Sequence, residues 1–350
     1  MPADTMTSAI APAMTAPVPA AAPRPTVARD IGLAIGAIVL LILLRLVWPS
    51  PALTDFGIRV AALAIFATSL NLLVGYTGMV SFGHGMFFGF GAYCFGLIMQ
   101  RLAVPLPIAF VVTIFATALL ALVIGAICIR LKDIYFSFIT LAFQMLIYSL
   151  IIAWVPLTGG DQGLQGGIPR PPFLGINLGN AFHLYVFAVV MLVVCLLVMR
   201  HIVESSFGYT LRMIRDNADR ATFLGINVFR VRLMAFVLAG VFAAIGGMVM
   251  ALFVSGAYPE FSNWTMSGEG IFMIMMGGLS TFIGPTAGAI VLALLNDLVT
   301  RRTEHHGLAL GIVILVFALG LKKGITDFIA DWWRARREAA IEQKARETAA

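Results

Sequence analysis

The chain has 350 residues, of which 60% are hydrophobic and only 11% are charged. Soluble domains carry about 25% charged residues, so this composition excludes a water-soluble globular fold and indicates a polytopic membrane protein. The formal net charge of +6 does not indicate nucleic-acid binding, because membrane proteins commonly keep an excess of Lys and Arg on their cytoplasmic loops.

Apolar runs of the length that crosses a bilayer follow one another along most of the chain. Residues 1–28, rich in Ala, Pro and Thr, predict a disordered tail before them. The apolar runs are 31–48, 56–74, 80–99, 104–128, 134–155, 181–199, 233–253, 267–299 and 307–321. A span needs about 20 residues, so the run 267–299, interrupted at Gly284-Pro285, is long enough for two. The sequence therefore predicts ten spans in a permease domain over 29–325, followed by a tail over 326–350.

The distribution of positive charge predicts the orientation of these spans. Arginine is concentrated in the loop 200–232, and both Lys and Arg in the C-terminal tail. Because cationic loops stay in the cytoplasm, we predict that both termini are cytoplasmic and that the loop 156–180 faces outward. The loop with Arg301, Arg302, His305 and His306 contradicts this rule in the ten-span count. A single span over 267–299 would move that loop inside but would place the tail outside.

Ten spans would give residues 31–155 and 181–321 opposite orientations, which is the geometry of an inverted repeat. The glycine-rich segments Gly75–Gly89 and Gly277–Gly288 occupy matching places in the two halves. We therefore predict an inverted repeat with these two segments as counterparts.

Small residues recur at helical spacing. They stand at Ser81, Gly85 and Gly89, at Gly32 and Gly36, and at Gly284 and Gly288. Such faces let helices approach closely in lipid, so helix packing is the simpler interpretation. Gly75 and Gly78 lie at a break between two apolar runs, and unwound backbone within a membrane is tolerated where it is buried in protein or lines a cavity. A substrate pathway is the alternative interpretation of this break.

Few polar side chains fall within the predicted spans. His84 is equally compatible with a pathway and with packing, whereas Gln144 favours an interhelical hydrogen bond over a ligand role. Glu269 and Asp297 are predicted near span ends, which leaves no carboxylate at mid-membrane and argues against proton or sodium coupling. The chain has no HExxH, GxSxG or GxxxxGK[ST] motif, so we predict neither a metal site nor an ATPase site.

The loop 200–232 contains two short helical patterns. Phe207, Leu211 and Ile214 follow helical spacing, and the segment from Ala218 to Gly225 gives a face of small residues. A short helix with such a face suits a groove on another protein. A basic amphipathic helix lying on the membrane surface is equally compatible with the pattern.

Several segments together resemble a known family. Asp219 to Gly225 resembles the E-A-A-x-x-x-G loop of ABC importer permeases, with Ala221 as the second alanine and Arg220 in place of the first. Four segments resemble, in order, the motifs of the branched-chain amino-acid permease family, M-type: Leu70–Gly85, Thr158–Pro169, Leu211–Asn227 and Ser267–Pro285. The resemblance covers roughly residues 55–325.

The resemblance implies an all-α ABC importer permease of large, type II-like topology in the bacterial inner membrane. It implies partners: a homologous H-type permease, two ATPase subunits that bind the ATP, a periplasmic solute-binding protein and the lipid bilayer. The chain itself would hold no cofactor and contact no nucleic acid. Branched-chain amino acids are the implied solute. A same-family permease for urea, short amides or aromatic acids remains an alternative, and so, from another class, does a self-sufficient secondary transporter.

Three groups of site residues follow. The coupling loop to the ATPase is expected at Arg212, Arg215, Asp216, Asp219, Ala221, Gly225 and Asn227. Depth and polarity place the substrate pathway at Asn71, Gly75, Tyr76, Gly78, Ser81, His84, Gln144, Gly277, Gly278 and Gly284. Contact with the binding protein is expected at Gly159, Gly160, Asp161 and Gly163.

Overall fold

The computed structural model describes most of the chain between residues 27 and 300 and a few residues beyond. The described residues are 27–102, 104–131, 133–164, 166–172, 177–300, 308, 311–312, 315, 324–328, 331–333 and 336. Most of the predicted N-terminal tail, most of the last predicted span at 307–321 and most of the C-terminal tail therefore lie outside them.

Helices form nearly all of the described backbone, which confirms the predicted all-α polytopic fold. In chain order they are α1 (Val27–Val47), α2 (Pro51–Thr77), α3 (Gly85–Arg101), α4 (Leu106–Cys128), α5 (Asp133–Ala153), α6 (Val155–Thr158), α7 (Ala181–Glu204), α8 (Ser206–Asp216), α9 (Ala218–Phe223), α10 (Val228–Val254), α11 (Trp264–Gly277) and α12 (Gly284–Thr300). Among the described residues, α1, α2, α4, α5, α7 and α10 are long and apolar enough to cross a membrane.

The remaining membrane helices are shorter than a bilayer is thick. Helix α3 has 17 residues, α11 has 14 and α12 has 17, against about 20 for a full span. The predicted run 80–99 is wrong at its start, because residues 80–84 are not helical and α3 begins at Gly85. The run 267–299 holds two short helices, as the ten-span count predicted, but the interruption lies at residues 278–283, and Gly284-Pro285 begins α12.

Contacts between distant residues place three segments on one side of the bundle. The guanidinium of Arg200 lies 3.1 Å from the carboxylate of Asp30, which joins the end of α7 to the start of α1. Arg215 of the loop 200–232 bonds to the end of α2. Asp327 bonds to the backbone between α11 and α12, and this backbone also meets the end of α2. We call this the inner side.

Two segments without α-helix enter the bundle from opposite sides, and the second contains a short 3-10 helix, Pro259–Ser262. The α2–α3 break, residues 78–84, begins at the inner side and returns into the membrane as far as His84. The Nε2 atom of His84 lies 2.9 Å from Ser69 Oγ. Ser69 precedes the end of α2 by eight residues, about 12 Å along a helix. The α10–α11 break, residues 255–263, enters from the outer side. Helices α3 and α11 therefore both begin inside the membrane.

These breaks relate the two halves of the bundle. Helices α2 and α10 have 27 residues each, run antiparallel, and are each followed by a break and a short helix. Helices α10, α11 and α12 begin about 178 residues after α2, α3 and α4. The inverted repeat is thus present, but the counterpart of the α2–α3 break is the α10–α11 break and not Gly277–Gly288. Sequence matching missed this because the second break contains few glycines.

Helices α2, α3 and α10 form the centre of the bundle through close backbone contact. A Cβ on Gly91 would lie 2.6 Å from Ala244 Cα, and one on Gly247 would overlap the carbonyl oxygen of Phe88. Close approach of this kind provides the packing that associates helices in lipid. Gly288 is packed in the same way against the backbone of Met273 in α11, as the spacing predicted. Gly85 packs against side chains, Gly89 against Ser262 of the α10–α11 break and Gly284 against its own turn. Ser81 is not helical, so the predicted helix face of Ser81, Gly85 and Gly89 is wrong at Ser81. Gly32 and Gly36 have no neighbour within 4 Å among the described residues.

Candidate functional site

The loop 200–232, which we call the coupling loop after the role predicted for it, contains two short helices, α8 and α9. Leu211 and Ile214 are buried, so α8 packs with the apolar stripe that its sequence predicts. The Asn217 side chain accepts a hydrogen bond from the backbone N–H of Arg220 at 2.8 Å and begins α9. The Asn227 side chain accepts one from the N–H of Arg230 at 3.0 Å and begins α10. Between them Gly225 has a φ of +83°, which L-residues other than glycine adopt only at a cost.

Arg215 joins the coupling loop to the end of α2. Its Nη1 donates to the carbonyl oxygen of Gly75, and its Cγ would lie 3.0 Å from a Cβ on Gly78. Gly78 has a φ of +72° and ends α2 in the left-handed conformation. The predicted coupling residue Arg215 and the predicted pathway residues Gly75 and Gly78 thus form one contact at the inner end of the α2–α3 break.

Arg212 makes a second connection to the same end of α2. Its Nη2 donates to the carbonyl oxygen of Val203 at 3.0 Å. Its guanidinium lies 5.4 Å from the ring centroid of Tyr76 and 5.1 Å from that of Tyr209, within the range of a cation–π interaction. The coupling loop is therefore fixed to α2 and α7 by charged hydrogen bonds and ring contacts.

The opposite face of the coupling loop is open. Phe223 is 91% exposed and Leu224 67% exposed at the end of α9, and Asp216 and Asp219 are exposed beside them. Ala221 is fully buried, so it packs inward and does not form the open face. Sequence reasoning missed Phe223 and Leu224, although two adjacent large apolar residues after a charged segment outside every span were a usable signal.

The turn between α11 and α12, residues 278–283, is fixed from the inner side by residues near the C-terminus. Thr326 Oγ1 donates to the carbonyl oxygen of Gly277 at 2.6 Å. The Asp327 carboxylate accepts from the backbone N–H groups of Ser280 at 3.1 Å and Thr281 at 3.0 Å. The predicted residues Gly277, Gly278 and Gly284 meet in this turn, and Gly278 has a φ of +125°.

A buried polar cluster joins the starts of α3 and α11. Gln144 Nε2 donates to the carbonyl oxygens of Ser262 and Asn263, and Ser267 Oγ donates to Gln144 Oε1 at 2.7 Å. The backbone N–H of Gly85 donates to Ser267 Oγ at 2.7 Å. Gln144 thus makes the interhelical hydrogen bonds that the sequence favoured. These bonds satisfy backbone groups that the α10–α11 break leaves without helical partners.

Three further predicted pathway residues are buried within the chain. Ser81 is fully buried and accepts from the N–H of Gly83. Ser69 Oγ donates to the carbonyl oxygen of Phe66 at 2.7 Å, so His84 Nε2 is its donor, while His84 Nδ1 has no partner among the described residues. The Asn71 amide is buried beside Gly75, also without a partner among the described residues.

The loop 156–180, which we call the outer loop, contains several glycines in left-handed backbone conformation. Gly159, Gly160 and Gly163 have φ values of +80°, +61° and +72°. A Cβ on Gly163 would overlap the carbonyl oxygen of Ala257. These glycines are thus needed for the loop's shape, while Asp161 is exposed and remains free for a partner. Nearby, burial lowers the pKa of the Arg170 guanidinium, which donates to the carbonyl oxygen of Phe253 at 2.8 Å.

The described residues include no group of three or more His, Cys, Asp and Glu side chains that could hold a metal ion. A helical bundle with helices interrupted inside the membrane, and with two related halves of opposite orientation, is the architecture of a membrane transport protein. The chain is accordingly a multi-pass membrane protein of the transport class.

Comparison with known proteins identifies the family. Residues 52–319 match the family model described as branched-chain amino acid transport system / permease component, and the chain belongs to this family. The high-affinity branched-chain amino acid transport system permease protein LivM of Escherichia coli (strain K12) is 23% identical over 338 residues, covering 88% of this chain and 78% of that protein. The probable permease LivM of Methanocaldococcus jannaschii is 23% identical over 288 residues, covering 71% and 81%. The predicted resemblance is confirmed.

Another relative is named for a different solute. The autoinducer 2 import system permease protein LsrC of Salmonella typhimurium (strain LT2) is 29% identical over 211 residues, covering 57% of this chain and 57% of that protein. Similarity to this chain thus extends beyond permeases named for amino acids.

Proposed function

We propose that this chain is the M-type permease of an ABC importer for branched-chain amino acids. With a homologous H-type permease it forms the translocation pathway. One of two separate ATPase subunits docks on the coupling loop, the other serves the second permease, and a periplasmic binding protein delivers the solute to the outer loop near Asp161. The observation that supports this most strongly is the coupling loop itself. It presents Phe223 and Leu224 outward while Arg215 bonds to the end of a broken helix.

The orientation proposed here has both termini in the cytoplasm. Positive charge is concentrated in the coupling loop, and cationic loops favour the cytoplasmic side. The start of α1 and the segment around Asp327 lie on the same side as this loop. The ATPase subunits, which need cytoplasmic ATP, can then reach Phe223 and Leu224.

Branched-chain amino acids are favoured as the solute because the relatives named for them match a larger share of this chain. The relatives named for these amino acids match 71% to 88% of this chain, whereas the one named for autoinducer 2 matches 57%. A transport role is supported by the family to which the chain belongs.

Replacing Phe223 and Leu224 together by alanine is expected to weaken the binding of the ATPase subunit that docks on this chain. Exposed apolar side chains that fill a partner's groove contribute about 2 kcal/mol or more each, roughly a 30-fold change in dissociation constant. Affinity purification of the tagged permease pair, followed by quantification of bound ATPase, measures this. Phe115→Ala is the matched control, because Phe115 is 71% exposed on α4, in the membrane-spanning part of the bundle. Full ATPase recovery with the double variant would contradict the proposed docking surface.

A further inference from the structure

Glu269 lies deep in the membrane, contrary to the expectation that it is near a span end. Its neighbour Gly270 packs against α2, where an added Cβ would lie 2.7 Å from Phe66 Cε1. Ser267, two residues before it, bonds to Gln144 near the middle of α5. Eight residues separate Glu269 from Gly277 at the inner end of α11, about 12 Å along a helix. The expectation failed because α11 begins inside the membrane.

The face of α11 that carries Glu269 is open or only partly covered. The residues on this stripe are Thr265, Gly268, Glu269, Phe272 and Met275, of which Gly268 and Phe272 are half-buried, and Leu279 follows in the turn after α11. Gly268 has no atom within 4 Å of an added Cβ. Met275 is 47% exposed and Leu279 42% exposed. The described part of the chain therefore leaves this face largely uncovered.

This face differs in chemistry from the faces that meet lipid. The exposed large side chains of α4, which include Ile108, Val111, Phe115 and Leu119, are all apolar. An ionisable group facing lipid at this depth costs several kcal/mol, so the stripe of α11 faces water or another polar surface. An intramembrane carboxylate in such a position normally marks a substrate or ion pathway.

The described part of this chain supplies no counter-charge to Glu269. The carboxylate has no salt bridge or hydrogen bond within the described residues, and neither α11 nor α12 contains Lys or Arg. A cation that neutralises it therefore comes from elsewhere. A branched-chain amino acid has an ammonium group and an aliphatic side chain. The stripe continues from Glu269 to the apolar Phe272 and Met275, and the apolar Leu279 follows in the turn after α11.

We propose that the open stripe of α11 lines the translocation pathway and that Glu269 binds the ammonium group of the transported amino acid. The inference rests on the proposed function, since it takes the solute class from it. The solute would bind Glu269 through a charged hydrogen bond from its ammonium group. Its side chain would contact Phe272 and Met275, which lie nearer the inner side.

The test uses the complete transporter, with both permeases, both ATPases and the binding protein, in proteoliposomes with enclosed ATP and labelled leucine outside. Glu269→Gln keeps the shape and removes the charge, and we expect leucine uptake to fall by about tenfold or more, the usual effect of losing a charged hydrogen bond. Glu269→Asp should recover part of the rate. Glu260→Gln, an exposed glutamate in the α10–α11 break, is the matched control and should transport normally.

Assembly and ATP hydrolysis separate this role from a structural one. We expect Glu269→Gln to retain the second permease and the basal ATPase rate. Loss of the second permease from the purified variant would show that Glu269 pairs with a cation of that chain and would overturn the proposal, as would unchanged uptake. Absence of ATP-driven leucine uptake by the unmodified transporter would instead refute the proposed function.

Discussion

Replacing Arg215 by alanine is expected to lower ATP-driven uptake by about tenfold or more while ATP hydrolysis continues. The guanidinium donates to the carbonyl of Gly75, and the Cγ of Arg215 lies against Gly78. This side chain therefore connects the coupling loop directly to the end of α2 and the start of the α2–α3 break. A hydrogen bond to a charged group contributes about 1.5–3 kcal/mol. Without it, movement of the loop is transmitted to α2 only by the weaker contacts around Arg212.

The uncoupling is measured as the ratio of leucine transported to ATP hydrolysed in proteoliposomes. Arg215→Lys should be intermediate, since an ammonium lacks the planar fork of a guanidinium. Arg230→Ala removes an exposed cation from the same loop and should leave the ratio unchanged. If Arg215→Ala keeps the normal ratio, movement is not carried through the contact with Gly75.

Replacing Gly247 by leucine is expected to prevent assembly of the bundle centre. Even the first added carbon would overlap the carbonyl oxygen of Phe88, and both atoms belong to packed helices. Overpacking a tight core typically costs about 1–3 kcal/mol, and more where backbone must move. We expect loss of the monodisperse peak in detergent and, for Gly247→Ala, a clearly lowered Tm.

Gly36→Ala is the matched control for this experiment. No described atom lies within 4 Å of a Cβ on Gly36, and alanine is the better helix former by about 1 kcal/mol. The control should therefore keep or slightly raise the Tm. A Gly247→Ala variant as stable as the unmodified protein would show that α3 and α10 do not pack as closely as described.

The sequence predicted those features that depend on local pattern. Apolar runs predicted most of the helices because a membrane span must satisfy its backbone internally. The spacing of Gly85 and Gly89 predicted close packing, and the stripe of Leu211 and Ile214 predicted α8. The family motifs predicted the transport class. Each of these signals lies within one segment of the chain.

Other features could not be predicted because they depend on where distant segments meet. The contact of Arg215 with Gly75 joins residues 140 positions apart. The predicted depth of Glu269 was wrong because hydropathy counting assumes that a helix begins at the membrane surface. Helix α11 instead begins at a break within the membrane. The identical pattern at Gly32 and Gly36 predicted packing that the described part of this chain does not provide.

Under the proposed function, this chain moves solute only when separate ATPase subunits drive it through the coupling loop. The most direct test is leucine uptake by the purified complex in proteoliposomes with enclosed ATP, compared with the same complex carrying catalytically inactive ATPase subunits. We expect uptake that requires both ATP hydrolysis and the binding protein. Uptake of equal rate with the inactive ATPase, or by this chain without ATPase subunits, would contradict it.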